Sequence, residues 1–316
     1  VQRPALRHYG RSPLGGARRS LVRLRATQGG LSVATFSILI PTWNNLPYLK
    51  LCVESLRRHS VREHQIIVHA NEGNDGTRDW LREQGIEHTA SDANVGVCHA
   101  VNLAGAKARA DYVVYLNADM LVAPQWDAAL ARAAGRARHH GRFMLSGTMV
   151  EPLDAGNRCV VVADFGRDPG RFDLARFANE APKLARGDWL GATWPPTLVT
   201  RDLWHQVGGY SIEFSPGFGS DNDFSMKLWH AGCRVFLGVG DSLVYHFSRV
   251  STGRIRKNDG RRQFLQKWGI TQSGFDRYYL RRGEPAPADS PLLQEPQPSP
   301  GLRWETLKSA LRRRLG

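Results

Sequence analysis

No stretch of the 316 residues approaches the ~18 consecutive apolar residues that a bilayer-spanning helix needs; the longest strand-like run is Val33 to Ile40. No membrane-spanning helix is expected. Cysteine is scarce as well. Cys52, Cys98, Cys159 and Cys233 lie 46, 61 and 74 residues apart with no Cys-x-x-Cys pair. That spacing argues against zinc ligation and against a disulfide framework, and it fits a reducing cytosol with four thiols acting as small buried hydrophobes. Acid is missing from the chain ends. Residues 1–35 hold seven Arg and no Asp or Glu, and residues 301–316 hold five basic residues and one acid. Together these ends carry eleven of the fourteen net positive charges, so the long middle is nearly neutral. The basic balance suits contact with anionic lipid or nucleic acid at the tails and says little about the core. The first thirty residues also lack the apolar segment of a secretory signal, and although a transit peptide fits their composition, a disordered basic arm is expected.

What is present is a chain with 41% hydrophobic residues, enough to bury a core. Three short β-branched runs, Phe36–Ile40, Gln65–His69 and Tyr112–Leu116, read as strands buried on both faces. Leu46, Leu49, Val53 and Leu56 recur at helical spacing, with Pro47 suited to a first turn and Asn44 or Asn45 as its cap. Thr77 is positioned to cap a second helix ending at Gly85, and Gly96 to Arg109 reads as a third. This alternation predicts an α/β fold, a Rossmann-like mostly parallel sheet with helices on both faces. Such sheets bind ligands at the carboxyl ends of their strands, where PTWNN, NEGNDGT and NADM all fall. Farther along come a basic stretch, Arg249 to Arg262, a Pro-rich segment, Gly283 to Gly301, expected to be a solvated linker, and a final basic segment with Trp304, Leu307, Leu311 and Leu315 along one helical face. Such a C-terminal amphipathic helix suits an anionic membrane surface, and equally a partner or plain solvation.

Single residues carry little chemistry alone. Asn117 and Asp119 after a strand suit a hard divalent cation beside phosphate oxygens, and are also ordinary turn residues. Four segments taken together say more. FSILIPTWNN, IIVHANEGNDGT, NVGVCHAVNLAGAKARADYVVYLNAD, and GFGSDNDFSMKL with its downstream VYHFS resemble, in order and spacing, the inverting family 2 glycosyltransferases of the GT-A fold over about Phe36 to Phe247. The resemblance implies transfer of a sugar from a nucleoside-diphosphate sugar to a glycan or lipid-linked acceptor hydroxyl, with Mn²⁺ or Mg²⁺ as cofactor, in cell-envelope or polysaccharide synthesis. It divides the chain into a nucleotide-sugar-binding half, residues 36–120, and an acceptor-binding half with extension, residues 121–282. The linker, residues 283–300, and the helix, residues 301–316, follow. A cytoplasmic location at the inner face of the plasma membrane goes with this reading.

By the same resemblance, Thr42 and Trp43 line the nucleoside, Asn71 and Asp75 approach base and ribose, and Asn94, Gly96 and Asn102 wall the diphosphate. Local structure offers alternatives: a core or helix-entry Trp43, a capping Asn94, a turn at Gly96 and a helix polar residue at Asn102. Asp119 is the expected metal ligand with His246 as a second, Asn117 interacting with ribose, water or metal. Trp189 and Gly191 fall in the acceptor-facing segment, with Trp189 as a stacking surface or a core residue. In GSDND, Asp221 is the first choice for the base that deprotonates the acceptor and Asp223 the second. Acids at this position also serve a helix N-terminus. Two departures from the family pattern stand out. Ala70 replaces an acid at the end of the second strand, and N-A-D replaces D-x-D, as in rhamnosyltransferase-like LNxD variants. The competing classes are a GT-A-like nucleotidyltransferase, a basic nucleic-acid-binding protein, disfavoured because no nucleic-acid-binding motif is present, and a non-catalytic relative.

Overall fold

The computed structural model describes residues 35–247 and 257–315. The expected basic arm up to residue 34 and much of the Arg249–Arg262 stretch lie outside the described residues.

The chain runs β1 (Phe36–Trp43), α1 (Leu46–His59), β2 (Gln65–Asn71), α2 (Thr77–Glu83), β3 (Glu87–Ser91), α3 (Gly96–Gly105), β4 (Tyr112–Tyr115), β5 (Met120–Val122) and α4 (Trp126–Ala137). It continues through β6 (Phe143–Glu151), β7 (Val161–Val162), α5 (Leu174–Glu180), β8 (Trp189–Leu190), β9 (Thr197–Thr200), α6 (Arg201–Val207), α7 (Ser220–His230) and β10 (Val235–His246). Last come α8 (Gly260–Trp268), α9 (Gln272–Gly274) and α10 (Pro300–Leu315). One sheet collects the strands in the order β3-β2-β1-β4-β9-β6-β10-β5. Its left half is parallel, while β9 enters antiparallel between β4 and β6. The sheet thereby runs through both halves expected on either side of residue 120.

Alternation along the strands makes two cores. Phe36, Ile38 and Ile40 of β1, Leu145 of β6 and Leu237 of β10 face one side, where they meet Leu49, Val53 and Leu56 of α1 and Trp126, Leu130 and Ala134 of α4. Leu39, Met144 and Phe236 face the other, against Val101 of α3, Leu203 of α6, Phe224 and Leu228 of α7, and Phe264 of α8. A period-2 strand with apolar residues on both faces can sit only between two layers of helix, as the three apolar runs predict. The four cysteines are buried and unpaired, as expected.

Some local readings shift. β1 continues through Pro41 to Trp43 because β4 stops opposite Leu39, so the missing proline N–H breaks no ladder on that side. β3 was not predicted. Its residues, EHTAS, are half-exposed at the sheet edge and show no apolar pattern. Asp75 is the real cap of this region: its carboxylate accepts from Leu46 N at 2.8 Å, and from Thr77 N and Oγ1 at 3.2 and 2.6 Å, serving two helix starts at once. The Pro-rich segment is tied to the body and not free in solvent. Leu293 is buried, Leu293 N donates to Arg234 O at 2.8 Å, and Glu295 pairs with Arg234. Among the described residues no helix is long and apolar enough to cross a membrane.

Candidate active site

Parallel strands β1, β2 and β4 end together, and the loops that leave them enclose a pocket of about 290 Å³. Nine of the residues singled out by sequence line it: Thr42, Trp43, Asn71, Asn94, Gly96, Asn117, Asp119, Asp221 and His246. The first five form the wall nearest β1 and β2. Asn71 Oδ1 accepts from Val95 N at 2.9 Å and Asn94 Oδ1 from Gly96 N at 2.9 Å, so two carboxamides shape the entry to α3 while facing the cavity. Gly96 has φ +78°, and a Cβ there would lie 2.8 Å from that of Ser215. Only glycine permits the 215–219 loop to close over this wall. Ala70 is fully buried, so β2 offers no carboxylate to a base. Its neighbour His69 is pushed down to about 4 by burial and by the nearby His99 and Arg78, and is held neutral between Thr89 and Ser91 hydroxyls.

The opposite wall carries the acids. Asp119 is buried to 8% exposure. His246 closes β10, which pairs with β5 and brings His246 Nε2 to 3.8 Å from Asp119 Oδ1. His246 Nδ1 lies 2.8 Å from Glu151 Oε1 at the end of β6. Burial opposes a charged ring here, but Asp119 and Glu151 outweigh it and raise the His246 pKa. A ring whose Nδ1–H is anchored on a carboxylate presents Nε2 toward Asp119, and an imidazole nitrogen beside a carboxylate oxygen is a donor pair suited to a divalent cation. Among the described residues no group of three His, Cys, Asp or Glu could hold a metal alone. Asp119 and His246 therefore fit a cation that draws its remaining ligands from a diphosphate and water. Asn117 Oδ1 accepts from Tyr115 Oη at 2.6 Å, which engages its carbonyl oxygen.

Asp221, in the first turn of α7, looks into the pocket from the third side. Tyr210 Oη donates to Asp221 Oδ1 at 3.0 Å, and Oδ2 has no partner among the described residues. Burial pushes Asp221 up to about 7, against the opposing effect of the Tyr210 hydrogen bond. A carboxylate whose pKa is near neutrality, with one oxygen fixed and the other facing a pocket, has the properties of a general base. Asp223 does not. It is fully buried and away from the pocket, where it accepts from Ser211 Oγ at 2.5 Å and Trp268 Nε1 at 2.8 Å and pairs with Lys267 Nζ at 2.8 Å. Its carboxylate ties the start of α7 to α8.

Four further expectations are corrected. Asn102 is not at the diphosphate wall: Nδ2 donates to Tyr210 O at 2.7 Å and Oδ1 accepts from Tyr210 N at 2.8 Å, fixing the residue that holds Asp221. Asp75 is consumed as the helix cap described above and does not line the pocket. Trp189 cannot stack on a sugar, being 1% exposed, with Nε1 donating to Thr148 Oγ1 at 3.0 Å. Its neighbour Gly191, also outside the pocket, lies against the Arg282 backbone. The half-exposed ring of that segment is Trp194, stacked on Trp189 at 5.4 Å. Glu151, Tyr115 and Tyr210 were missed by sequence reasoning. Glu151 had one available signal, an acid closing the apolar run FMLSGTMV; the tyrosines had none.

Comparison with known proteins places this geometry. Residues 37–144 match the family model described as Glycosyl transferase family 2. An uncharacterized glycosyltransferase, EpsJ, of Bacillus subtilis (strain 168) is 31% identical over 91 residues, covering 26% of this chain and 25% of that protein. The structure of S. aureus TarS 1–349 in complex with UDP superimposes with a TM-score of 0.52 at 13% identity, covering 77% of this chain and 65% of that one. Its complex with UDP-GlcNAc gives 0.51 at 16% identity, covering 74% and 65%. The match spans a quarter of the length of the curated relative and less than two thirds of the TarS fragment. Residues 37–144 thus resemble family 2 glycosyltransferases, and the chain has the GT-A fold.

Proposed function

We propose that this GT-A-fold chain is a family 2 glycosyltransferase that moves a sugar from a nucleoside-diphosphate sugar to an acceptor hydroxyl with inversion, assisted by a divalent cation, Mn²⁺ or Mg²⁺. The observation that carries the reading is the placement of Asp221 and the Asp119–His246 pair on separate sides of one pocket at the strand ends. Trp43 and the Asn71–Asn94 wall receive the nucleoside, and Asn117 a ribose or phosphate oxygen. Asp119 and His246, steadied by Glu151, would hold the cation. When bound there, a divalent cation neutralises charge on a leaving diphosphate.

The chain's own chemistry then centres on Asp221. The unbonded carboxylate oxygen takes the proton of the acceptor hydroxyl while the acceptor oxygen attacks the anomeric carbon, and the bond to the diphosphate breaks with its electron pair leaving on the diphosphate. One displacement with no enzyme-bound sugar inverts the anomeric centre. Tyr210 steadies the carboxylate through the single hydrogen bond to Oδ1, and Asn102 fixes Tyr210 in turn. The missing acid at Ala70 and the N-A-D motif support a donor preference that departs from the common pattern, the deoxyhexosyl donors of rhamnosyltransferase-like members being the first to try. A screen of nucleotide sugars for Mn²⁺-dependent thermal stabilisation tests the reading, since a ligand bound only by the folded state raises its stability. Stabilisation by at least one donor, lost in Asp119→Ala, is expected. No stabilisation by any donor refutes it.

Helix α10 supports a location at a membrane surface. Helix and body meet through Leu302, Glu305 and Ser309, with Glu305 hydrogen-bonded to Thr271. Trp304, Leu307 and Leu311 point outward at 58%, 52% and 49% exposure. A helix that buries its polar side and exposes its apolar stripe, beside Arg303 and Arg312–Arg314, matches an anionic lipid surface in both hydrophobicity and charge. Peripheral attachment to such a membrane, where a lipid-linked or envelope glycan acceptor would be met, is part of the proposal.

A further inference from the structure

A second cavity, of about 710 Å³, lies outside the donor pocket and is lined by four arginines, Arg158, Arg277, Arg281 and Arg282, against two acids, Asp276 and Glu284. Both acids are already engaged, Asp276 with Arg282 and Glu284 with Arg281, each at 2.5 Å. Among the described residues neither Arg158 nor Arg277 is in an ion pair. The cavity therefore keeps two guanidinium charges without counter-charge. They come from separate parts of the chain: Arg158 from the loop between β6 and β7, Arg277 from the turn after α9. A planar guanidinium presents paired N–H groups that match the oxygens of a phosphate, so two unneutralised ones converging on a cavity fit an oxyanion.

The cavity is joined to the catalytic wall. Asn222 Nδ2 donates to Asp276 Oδ1 at 3.0 Å, and Asn222 follows Asp221 in α7. Arg282 lies over the ring of Trp194 at 4.9 Å, and its segment is laced to β8 by Leu190 N to Glu284 O and Gly283 N to Leu190 O, both 2.9 Å. At Gly191, after β8, a Cβ would come within 2.5 Å of Arg282 Cα. One hydrogen bond thus separates the cavity's rim from the residue beside the base.

We propose that this cavity is an acceptor subsite for a phosphate-type oxyanion, and that the acceptor is a phosphate-bearing glycan, polyol or lipid-linked chain in place of a neutral sugar. The proposal rests on Asp221 being the base of a glycosyl transfer. It makes Arg158 and Arg277 specificity residues that touch the acceptor remote from its reacting hydroxyl.

The test uses the full chain and two readouts. In the first, inorganic phosphate is the probe and melting is compared with chloride at equal ionic strength. Phosphate is expected to raise the melting temperature of the wild type and of Asp119→Ala alike, and to lose that effect in the Arg158→Gln/Arg277→Gln variant. An equal shift in the double variant, or none in the wild type, overturns the cavity as an anion site. In the second, transfer to matched acceptors with and without a phosphate is measured. The double variant is expected to raise KM for the phosphorylated acceptor by about tenfold or more, the scale of a lost charge-assisted contact, with kcat changed far less. Equal use of both acceptors by the wild type overturns the acceptor assignment and identifies a site for free anions. Donor hydrolysis by the wild type separates the two readings. Its absence with every nucleotide sugar refutes the glycosyl-transfer reading, whereas the phosphate melting result stands or falls by itself.

Discussion

Replacing Asp221 by Asn separates the catalytic role of this carboxylate from its cost to the fold. The substitution keeps the shape and leaves an oxygen to accept from Tyr210, while removing the basic lone pair. Turnover is expected to fall by about 10² to 10⁴, the usual contribution of a general base. Stability is expected to move the other way. Burial raises the folded-state pKa from 3.8 to about 7, so between those values the native state holds a proton that the unfolded chain has released. Native stability from this group is complete below pH 4 and is lost as pH rises through 7. The whole shift corresponds to roughly 4 kcal/mol, and allowing for water at the pocket mouth about 2–4 kcal/mol is expected. Asn carries no such dependence, so Asp221→Asn should match the wild type near pH 4 and exceed it by about 2–4 kcal/mol above pH 8. Guanidinium unfolding at both pH values measures this, alongside wild-type donor hydrolysis from pH 5 to 9, which should rise with a midpoint near pH 7. A variant of undiminished turnover, or one no more stable than the wild type at pH 8, would refute the assignment.

Four other outcomes follow from the same structure. Asp119→Ala should nearly abolish transfer with the fold intact, and normal turnover after chelation would remove the cation from the account. Glu151→Gln should weaken Mn²⁺ affinity by about 10- to 100-fold by releasing His246, with donor binding in the absence of metal serving as the control. Asp223→Asn should destabilise by about 1–3 kcal/mol, because the buried Ser211 and Trp268 donors lose a charged acceptor while Lys267 keeps Glu213; a fully stable protein with a larger turnover loss than Asp221→Asn would exchange their roles. Trp304→Ala/Leu307→Ala/Leu311→Ala should abolish salt-sensitive sedimentation with anionic vesicles and leave the melting temperature unchanged, since all three side chains face outward; unaltered sedimentation would assign binding elsewhere.

Six of the nine pocket-lining residues read from the sequence share a property: each ends or follows a strand whose apolar run announces it. Thr42 and Trp43 follow the core of β1, Asn71 closes β2, Asn117 and Asp119 follow β4, and His246 closes β10. Period-2 apolarity fixes where a buried strand ends, and its end is where a parallel sheet exposes polar groups. Polar residues in helices and turns carry no such marker. Asp75, Asn102 and Asp223 look like site residues in the sequence, yet backbone amides or buried donors claim each of them, and only the tertiary neighbours reveal this. Trp189 failed similarly. Gly238 leaves the room its ring fills, a relation between residues 49 positions apart that one sequence does not display. In α10 the periodicity was legible but the direction of the stripe was not, because that depends on which side finds Thr271 and the second core.

The central claim is a single displacement at the anomeric carbon with Asp221 as the base. NMR of the glycoside formed on the acceptor from a stabilising nucleotide sugar reads it directly, through the one-bond C–H coupling at the anomeric carbon. A product of inverted configuration from the wild type and a turnover loss of about 10² or more in Asp221→Asn are expected. A product that retains the donor's configuration would contradict it.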